Sequence, residues 1–214
     1  MVGPIAGHRN LWLAAGSAIG ISEGPGCGKY LAQWMVHGAA DISMHFLDPR
    51  RYGPVYTNDW IKARTVEASK KMFDLHPPGY EFHDGRGLRV SPVHDRLAAK
   101  GAVFGESMGW ERPKWFAPTG VEEQLSYTRS NAFSYIAKEC LAVRDSVGVL
   151  DLTSFTKIEV SGQNATAFLD RTLANKLPRK IGGIALCHLL GDTGVTEAEM
   201  TVTRLADDRY LLLS

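Results

Sequence analysis

The sequence predicts a mixed fold: an α/β element at the start, a small middle segment, and an α+β domain in the remainder. Three observations predict it. A short apolar run, Leu11–Ala15, opens into a glycine-dense stretch and then a helical pattern. One long amphipathic helical pattern follows later, near residues 130–147. After it come short alternating runs that reach the C-terminus, the mark of a strand meander. With 214 residues the chain is long enough for one or two domains and a sizeable core.

Leu11–Ala15 suits a strand buried on both faces. Gly16, Gly20, Gly24, Gly26 and Gly28 then supply a tight turn. From about Cys27 to His37, Leu31, Trp34 and Met35 recur at helical spacing, and Gly38 stands where a C-terminal cap belongs. Strand, glycine turn and helix can offer backbone N–H groups and a positive helix end to an anionic cofactor, although glycine turns before helices also serve plain packing.

Asn58 or Thr57 caps the next helix, which runs to about Phe73 and ends at His76-Pro77-Pro78-Gly79. SPVHDRLAAKGAVFG reads as a turn, a short helix from about Pro92, and a strand near Val103-Phe104. Ser130 or Asn131 starts the long helix, which Gly148 stops. Phe133, Ile136, Ala137, Cys140, Leu141 and Val143 form its buried face. Thr156–Ser161 is a strand and Gln163–Ala174 a helix with Ala167, Phe168 and Leu169 apolar. Ile184–Leu190, Glu199–Leu205 and Tyr210–Leu213 complete the meander. The last of these is an apolar strand with no polar tail, and an exposed edge invites aggregation. The first segment offers one strand and one helix with no sheet to join, so both ends read as cut.

Composition narrows the function. The formal net charge of +1 provides no field for nucleic acid or anionic lipid. No apolar run approaches the roughly 20 residues of a membrane span. Leu11–Ile21 after His8-Arg9 imitates a secretory signal, but Gly16 and Gly20 interrupt it and no Ala-x-Ala site follows. Cys27, Cys140 and Cys187 lie far apart without C-x-x-C spacing, and read as buried thiols in a reducing compartment. The histidines form no H-x-x-x-H pair, and His45 near Asp48 is too little for a metal site.

Two further stretches carry chemistry. Gly101–Phe116 sets Trp110 and Trp115 around Glu111-Arg112-Pro113-Lys114, either an aromatic surface with a guanidinium–carboxylate pair or an interdomain seam. Thr193–Val202 places Glu197 and Glu199 at period 2 on one strand face. Carboxylates there can hold a cationic amine or assist proton transfer; the alternative is a solvated face, for which Glu197 is the better candidate.

Together these residues support a resemblance over essentially the whole chain. GCGKYLAQWMVHG lies in a first segment, 1–53, that resembles the C-terminal end of the FAD-binding domain of glycine-oxidase-like flavoenzymes. SPVHDRL and GWERPKWF resemble the small central domain of dimethylglycine and sarcosine dehydrogenases. Asp151-Leu152-Thr153, KIEVSGQNATAFLDRTLAN and AEMTV resemble the start of their folate-binding aminomethyltransferase-like domain. The boundaries expected are 1–53, 54–108 and 109–214.

The resemblance implies an enzyme that oxidises an N-methyl group with FAD and passes the one-carbon unit to tetrahydrofolate. It places Ser17, Ala18, Ile19, Gly20, Ile21 and Ser22 in the loop passing the flavin, and Gly24, Gly26 and Gly28 in the turn opening the helix aimed at it. Glu199 stands where relatives carry an acidic residue, often Asp, near the reactive folate nitrogen; the extra methylene moves its carboxylate by about one bond. The chain holds no G-x-G-x-x-G, and none of His8, His37 or His45 matches the family's flavin-attaching histidine. The chain alone is therefore expected to bind FAD poorly and to lack turnover. Its partners would be a methylated amine and the remaining parts of the same enzyme, in bacterial cytoplasm or the mitochondrial matrix. Two other functions fit: a folate-dependent aminomethyltransferase or demethylase, and a non-catalytic chain that completes a flavin site with a partner.

Overall fold

The computed structural model describes residues 1–16 and 19–214. It divides into two compact units, Met1–Lys62 and Ala63–Ser214. No helix among the described residues is long and apolar enough to cross a membrane.

In the first unit, β1 (Val2–Pro4) and β2 (Trp12–Ala14) form an antiparallel hairpin with Gly3 opposite Leu13. The expected strand is present, but Trp12 and Leu13 are only half-buried, because a two-stranded ribbon has no second layer on its far face. Its partner β1 was illegible, since glycine and proline are poor strand formers. Helix α1 (Gly20–His37) packs Trp34 edge-on against Trp12, with centroids 5.8 Å apart. A Cβ at Gly3 would lie 3.0 Å from the Trp34 ring, so glycine allows the close approach.

Helix α1 corrects the reading of its glycines. It begins at Gly20 rather than near Cys27, so Gly24, Gly26 and Gly28 are helical and form no turn. Pro25 also lies inside it, removing one main-chain donor. The C-terminal cap is as expected: Gly38 adopts φ 82° and its N–H donates to the Trp34 carbonyl at 3.0 Å. Asp48 accepts from the Arg50 N–H at 2.8 Å to cap a short 3-10 turn, Pro49–Arg51, and pairs with the Arg50 guanidinium. Thr57, rather than Asn58, caps α2 (Asn58–Lys71), its Oγ1 accepting from the Trp60 N–H at 3.2 Å.

In the second unit, α3 (His94–Ala99) leads into a hairpin of β3 (Ala102–Ser107) and β4 (Trp110–Phe116). Met108 and Gly109 between them have φ of 52° and 83°, the positive values a tight two-residue hairpin loop requires. The stretch read as an aromatic surface or seam is thus a hairpin with one buried tryptophan. Trp115 is 1% exposed and stacks on Tyr135 of α4 (Phe133–Asp145). Gly101 is obligatory there: φ is 84°, and a Cβ would sit 1.9 Å from the Ala117 carbonyl oxygen.

The apolar face of α4 is not buried, contrary to its pattern. Leu141 is 48% and Val143 58% exposed, and no α4 residue is fully buried. The helix meets β4 through Tyr135 and Glu139, whose Oε1 accepts from the Phe116 N–H at 2.7 Å. The rest of its face is uncovered among the described residues.

The last strands, β5 (Lys157–Ser161), β6 (Ile184–Leu190), β7 (Thr196–Ala206) and β8 (Arg209–Leu213), form one antiparallel sheet in the order β5-β8-β7-β6. Helix α5 (Ala165–Thr172) covers one face and closes a core of Ala165, Leu169, Leu173, Cys187, Val202, Tyr210 and Leu212. Phe168, next to buried Leu169, is half out in solvent. Strand β8 overturns its expected place: it lies between β5 and β7, with Tyr210 fully buried, and is no edge. Of the cysteines only Cys187 is buried, and burial pushes its thiol up. Cys27 is intermediate and Cys140 exposed.

Candidate functional site

Glu199 lies on β7 directly opposite His188 of β6. The His188 carbonyl points away from β7, since it accepts from the Ala174 N–H at 2.9 Å. His188 and Glu199 are therefore a non-hydrogen-bonded pair, the kind whose side chains approach most closely across an antiparallel ladder. Their side chains meet at 2.9 Å, Nε2 to Oε2. A carboxylate can only accept, so the imidazole donates. The pair is open, with 39% of the His188 and 60% of the Glu199 side chain exposed.

This pair sits on the sheet face opposite α5. Alternation puts Leu186, Thr201 and Leu213 in the next row of that face, and Ile184, Thr203 and Leu211 in the row after. Ile184 and Leu186 are exposed. Around the His188–Glu199 pair the face is apolar and hydroxyl-lined, and its other acid, Glu159 of β5, is paired with Arg209. Glu197, the second acidic candidate, does not share the pairing. The register steps between Leu189 and Leu190, leaving Glu197 as the unpaired residue of a bulge.

The other predicted site residues start α1. Ser17 and Ala18 lie outside the described residues. Ile19 is the N-cap and accepts at its carbonyl from the Ser22 and Glu23 N–H groups, both at 3.0 Å. Gly20 and Ile21 occupy the first positions of the helix, whose N–H groups have no intrahelical acceptor. Gly20, Gly24, Gly26 and Gly28 have nothing within 4 Å of where a Cβ would stand. Packing inside this unit therefore does not call for glycine at these places. Gly20, Gly24 and Gly28, four residues apart, share one open, backbone-only edge that fits the close approach of a flat or anionic group such as FAD, whereas Gly26 lies on the other side of the helix. Glu23 in the first turn opposes an anion. The residues around Glu199 fit tetrahydrofolate through the acceptor its N–H groups need.

Sequence reasoning missed the most buried carboxylates. Glu67 accepts from the Tyr80 hydroxyl at 3.0 Å and from the His83 and Asp84 N–H groups at 2.8 and 2.7 Å. Glu111 pairs with Arg86, not with Arg112, and accepts from the Gly87 N–H at 2.6 Å. Burial alone would push both carboxyls up. For Glu67 the His83 and Asp84 N–H groups and the Tyr80 hydroxyl outweigh it; for Glu111 the Arg86 guanidinium and the Gly87 N–H do. Both are held below the usual carboxylate range. Glu106 stands opposite Glu111 across the hairpin, a like-charge pair made tolerable because Arg64 pairs with Glu106. These groups tie residues 80–87 to α2 and the hairpin, which is a structural task.

Residues 93–214 match the family model described as GCVT N-terminal domain, and residues 37–91 the model described as FAD dependent oxidoreductase central domain. The whole chain is 36% identical over 217 residues to mitochondrial dimethylglycine dehydrogenase of Rattus norvegicus, covering 25% of that protein. It is 33% identical over 227 residues to mitochondrial sarcosine dehydrogenase of Homo sapiens, covering 92% of this chain and 25% of that one. Over 210 residues it is 32% identical to the mitochondrial pyruvate dehydrogenase phosphatase regulatory subunit of Mus musculus, covering 94% of this chain and 24% of that one. The chain spans about a quarter of the length of the curated relatives it matches.

Proposed function

Because this chain belongs to the GCVT N-terminal domain family, with a match to the FAD dependent oxidoreductase central domain before it, we propose that it is part of an N-methyl-amine dehydrogenase. The enzyme would be of the dimethylglycine and sarcosine type, oxidising an N-methyl group and passing the one-carbon unit to tetrahydrofolate. The tandem order of the two matches carries this reading, since it joins a flavin-enzyme segment to a folate-enzyme segment in one chain. The division proposed from the sequence resemblance is 1–53, 54–108 and 109–214, while the two matches meet between residues 91 and 93. On this reading the chain works in bacterial cytoplasm or the mitochondrial matrix.

When bound, FAD supplies a two-electron acceptor and tetrahydrofolate an acceptor for the one-carbon unit. This chain's own residues do simpler things. The first turn of α1 offers the Gly20 and Ile21 main-chain N–H groups to the flavin side, since the Ser22 N–H is taken by the Ile19 carbonyl, and the edge formed by Gly20, Gly24 and Gly28 lets it come close. Glu199 holds a carboxylate against the reactive N–H of the folate and takes or returns a proton there. Leu186 and Leu213 keep an apolar floor beside it.

Titration of the chain with tetrahydrofolate, followed by tryptophan fluorescence or calorimetry, tests the folate side. Glu199→Ala is expected to weaken binding about ten-fold, the effect of one charge-assisted hydrogen bond. Equal affinity in the two proteins removes Glu199 from the site. The relative named as a phosphatase regulatory subunit supports a second reading, a non-catalytic chain acting through a partner. That reading expects no folate uptake in either protein.

A further inference from the structure

We propose that His188 is a positioning residue for Glu199: it holds one carboxylate oxygen so that the other faces a ligand N–H in a fixed direction. The proposal rests on the folate-facing role of Glu199. A glutamate side chain on an open sheet face has three rotatable bonds and samples several staggered arrangements. A site that must present one oxygen to a donor has to restrict them. Here Oε2 accepts from His188 Nε2 at 2.9 Å. Among the described residues no hydrogen bond to Oε1 is found, so it is the oxygen left to a ligand.

For this to work the imidazole must itself be fixed, yet β6 ends the sheet order and a strand there is normally the loosest. The fold pins β6 at this point from its outer side. The Ala174 N–H donates to the His188 carbonyl at 2.9 Å, and Asn175 Nδ2 donates to the Leu186 carbonyl at 2.6 Å. Leu173 bridges to Leu189, and Cys187 and Leu189 belong to the core side of the strand. The bulge after Leu189 also diverts Glu197, so a second carboxylate does not compete for the imidazole. With both side chains more than a third exposed, the contact adds little to stability, which leaves direction as its effect.

The test is NMR on the labelled 214-residue chain, reading the three-bond couplings between Hα and the two Hβ of Glu199. A single rotamer gives one large and one small coupling; free rotation averages them. The wild type is expected to show the unequal pair, His188→Ala the averaged one, and His188→Gln, which keeps a donor, a return toward the unequal pair. Tetrahydrofolate affinity is expected to fall about five-fold in His188→Ala and to recover in His188→Gln. His188→Leu, which fills the strand position without a donor, serves if His188→Ala does not fold. Unchanged couplings in the non-donor variant overturn the proposal whatever the folate titration gives. Unequal couplings that average in the variant, in a chain that takes no tetrahydrofolate, uphold the positioning and overturn only the folate role of Glu199.

Discussion

Two kinds of carboxylate divide the chemistry of this chain: the open Glu199, and the buried Glu67 and Glu111. The buried pair sets an acid limit on stability. Their folded-state values lie below the ordinary one, so the stability they add is complete above the unfolded glutamate pKa, about 4.3, and is lost as pH falls through the folded values. The urea midpoint of the chain is expected to drop as pH falls below about 5. Glu67→Gln is expected to cost about 2 kcal/mol at neutral pH, because an amide cannot accept from Tyr80, His83 and Asp84 together, and to flatten that acid limb. A variant with the full acid limb would show that other groups cause it. None of this was legible in the sequence, because the donors to Glu67 lie 13 to 17 residues away and the turn that returns them leaves no periodic trace. The strand position of Glu199 was legible, since alternation is local, but its period-2 companion Glu197 falls in a bulge. The Glu199 partner His188 was not legible, because a cross-strand neighbour depends on the register of β6 on β7 and on the bulge that interrupts it.

At the scale of elements, α1 joins a strong end to a weak one. Its last turns carry Trp34 and the Gly38 cap, whereas its first turns hold Gly20, Gly24, Gly26 and Gly28 with Pro25 among them. Each helical glycine costs about 1 kcal/mol relative to alanine. Gly24→Ala and Gly26→Ala, where a Cβ meets nothing within 4 Å, are therefore expected to stabilise the helix by about 0.5–1 kcal/mol each. Gly24→Ala is also expected to reduce FAD uptake wherever the intact flavin site is assembled, and Gly26→Ala, on the other side of the helix, to leave it unchanged. Thermal unfolding by circular dichroism reads the first effect and flavin absorbance after reconstitution the second. Gain of stability with unchanged uptake in Gly24→Ala would detach this glycine edge from the flavin. The same residues explain why the helix start was misplaced in the sequence: glycine punctuation ordinarily marks a turn, and here a helix runs through it. The α5 and meander elements were legible as elements, because short apolar runs bounded by turns mark them locally, whereas the bulges between β6 and β7 and between β7 and β8 were not.

Over the whole molecule, patterns that were sound as patterns lack their cover. The α4 stripe of Phe133, Ile136, Leu141 and Val143 has helical spacing and stands in solvent. The sheet face bearing Ile184 and Leu186 is likewise open. Strand β8 errs the other way, for its run of leucines looked unprotected and is enclosed by β5 and β7, a placement only long-range pairing decides. Sequence periodicity records which residues avoid water, and cannot say which surface shields them. An apolar stripe of this kind is costly to leave open and is a site for association. Leu141→Lys with Val143→Lys is accordingly expected to change the unfolding free energy by less than about 0.5 kcal/mol in this chain, since neither side chain is buried. The same double variant is expected to reduce binding of a hydrophobic dye and concentration-dependent sedimentation. A loss of several kcal/mol would mean that α4 is covered in solution, and the stripe would then belong to the core of this chain itself.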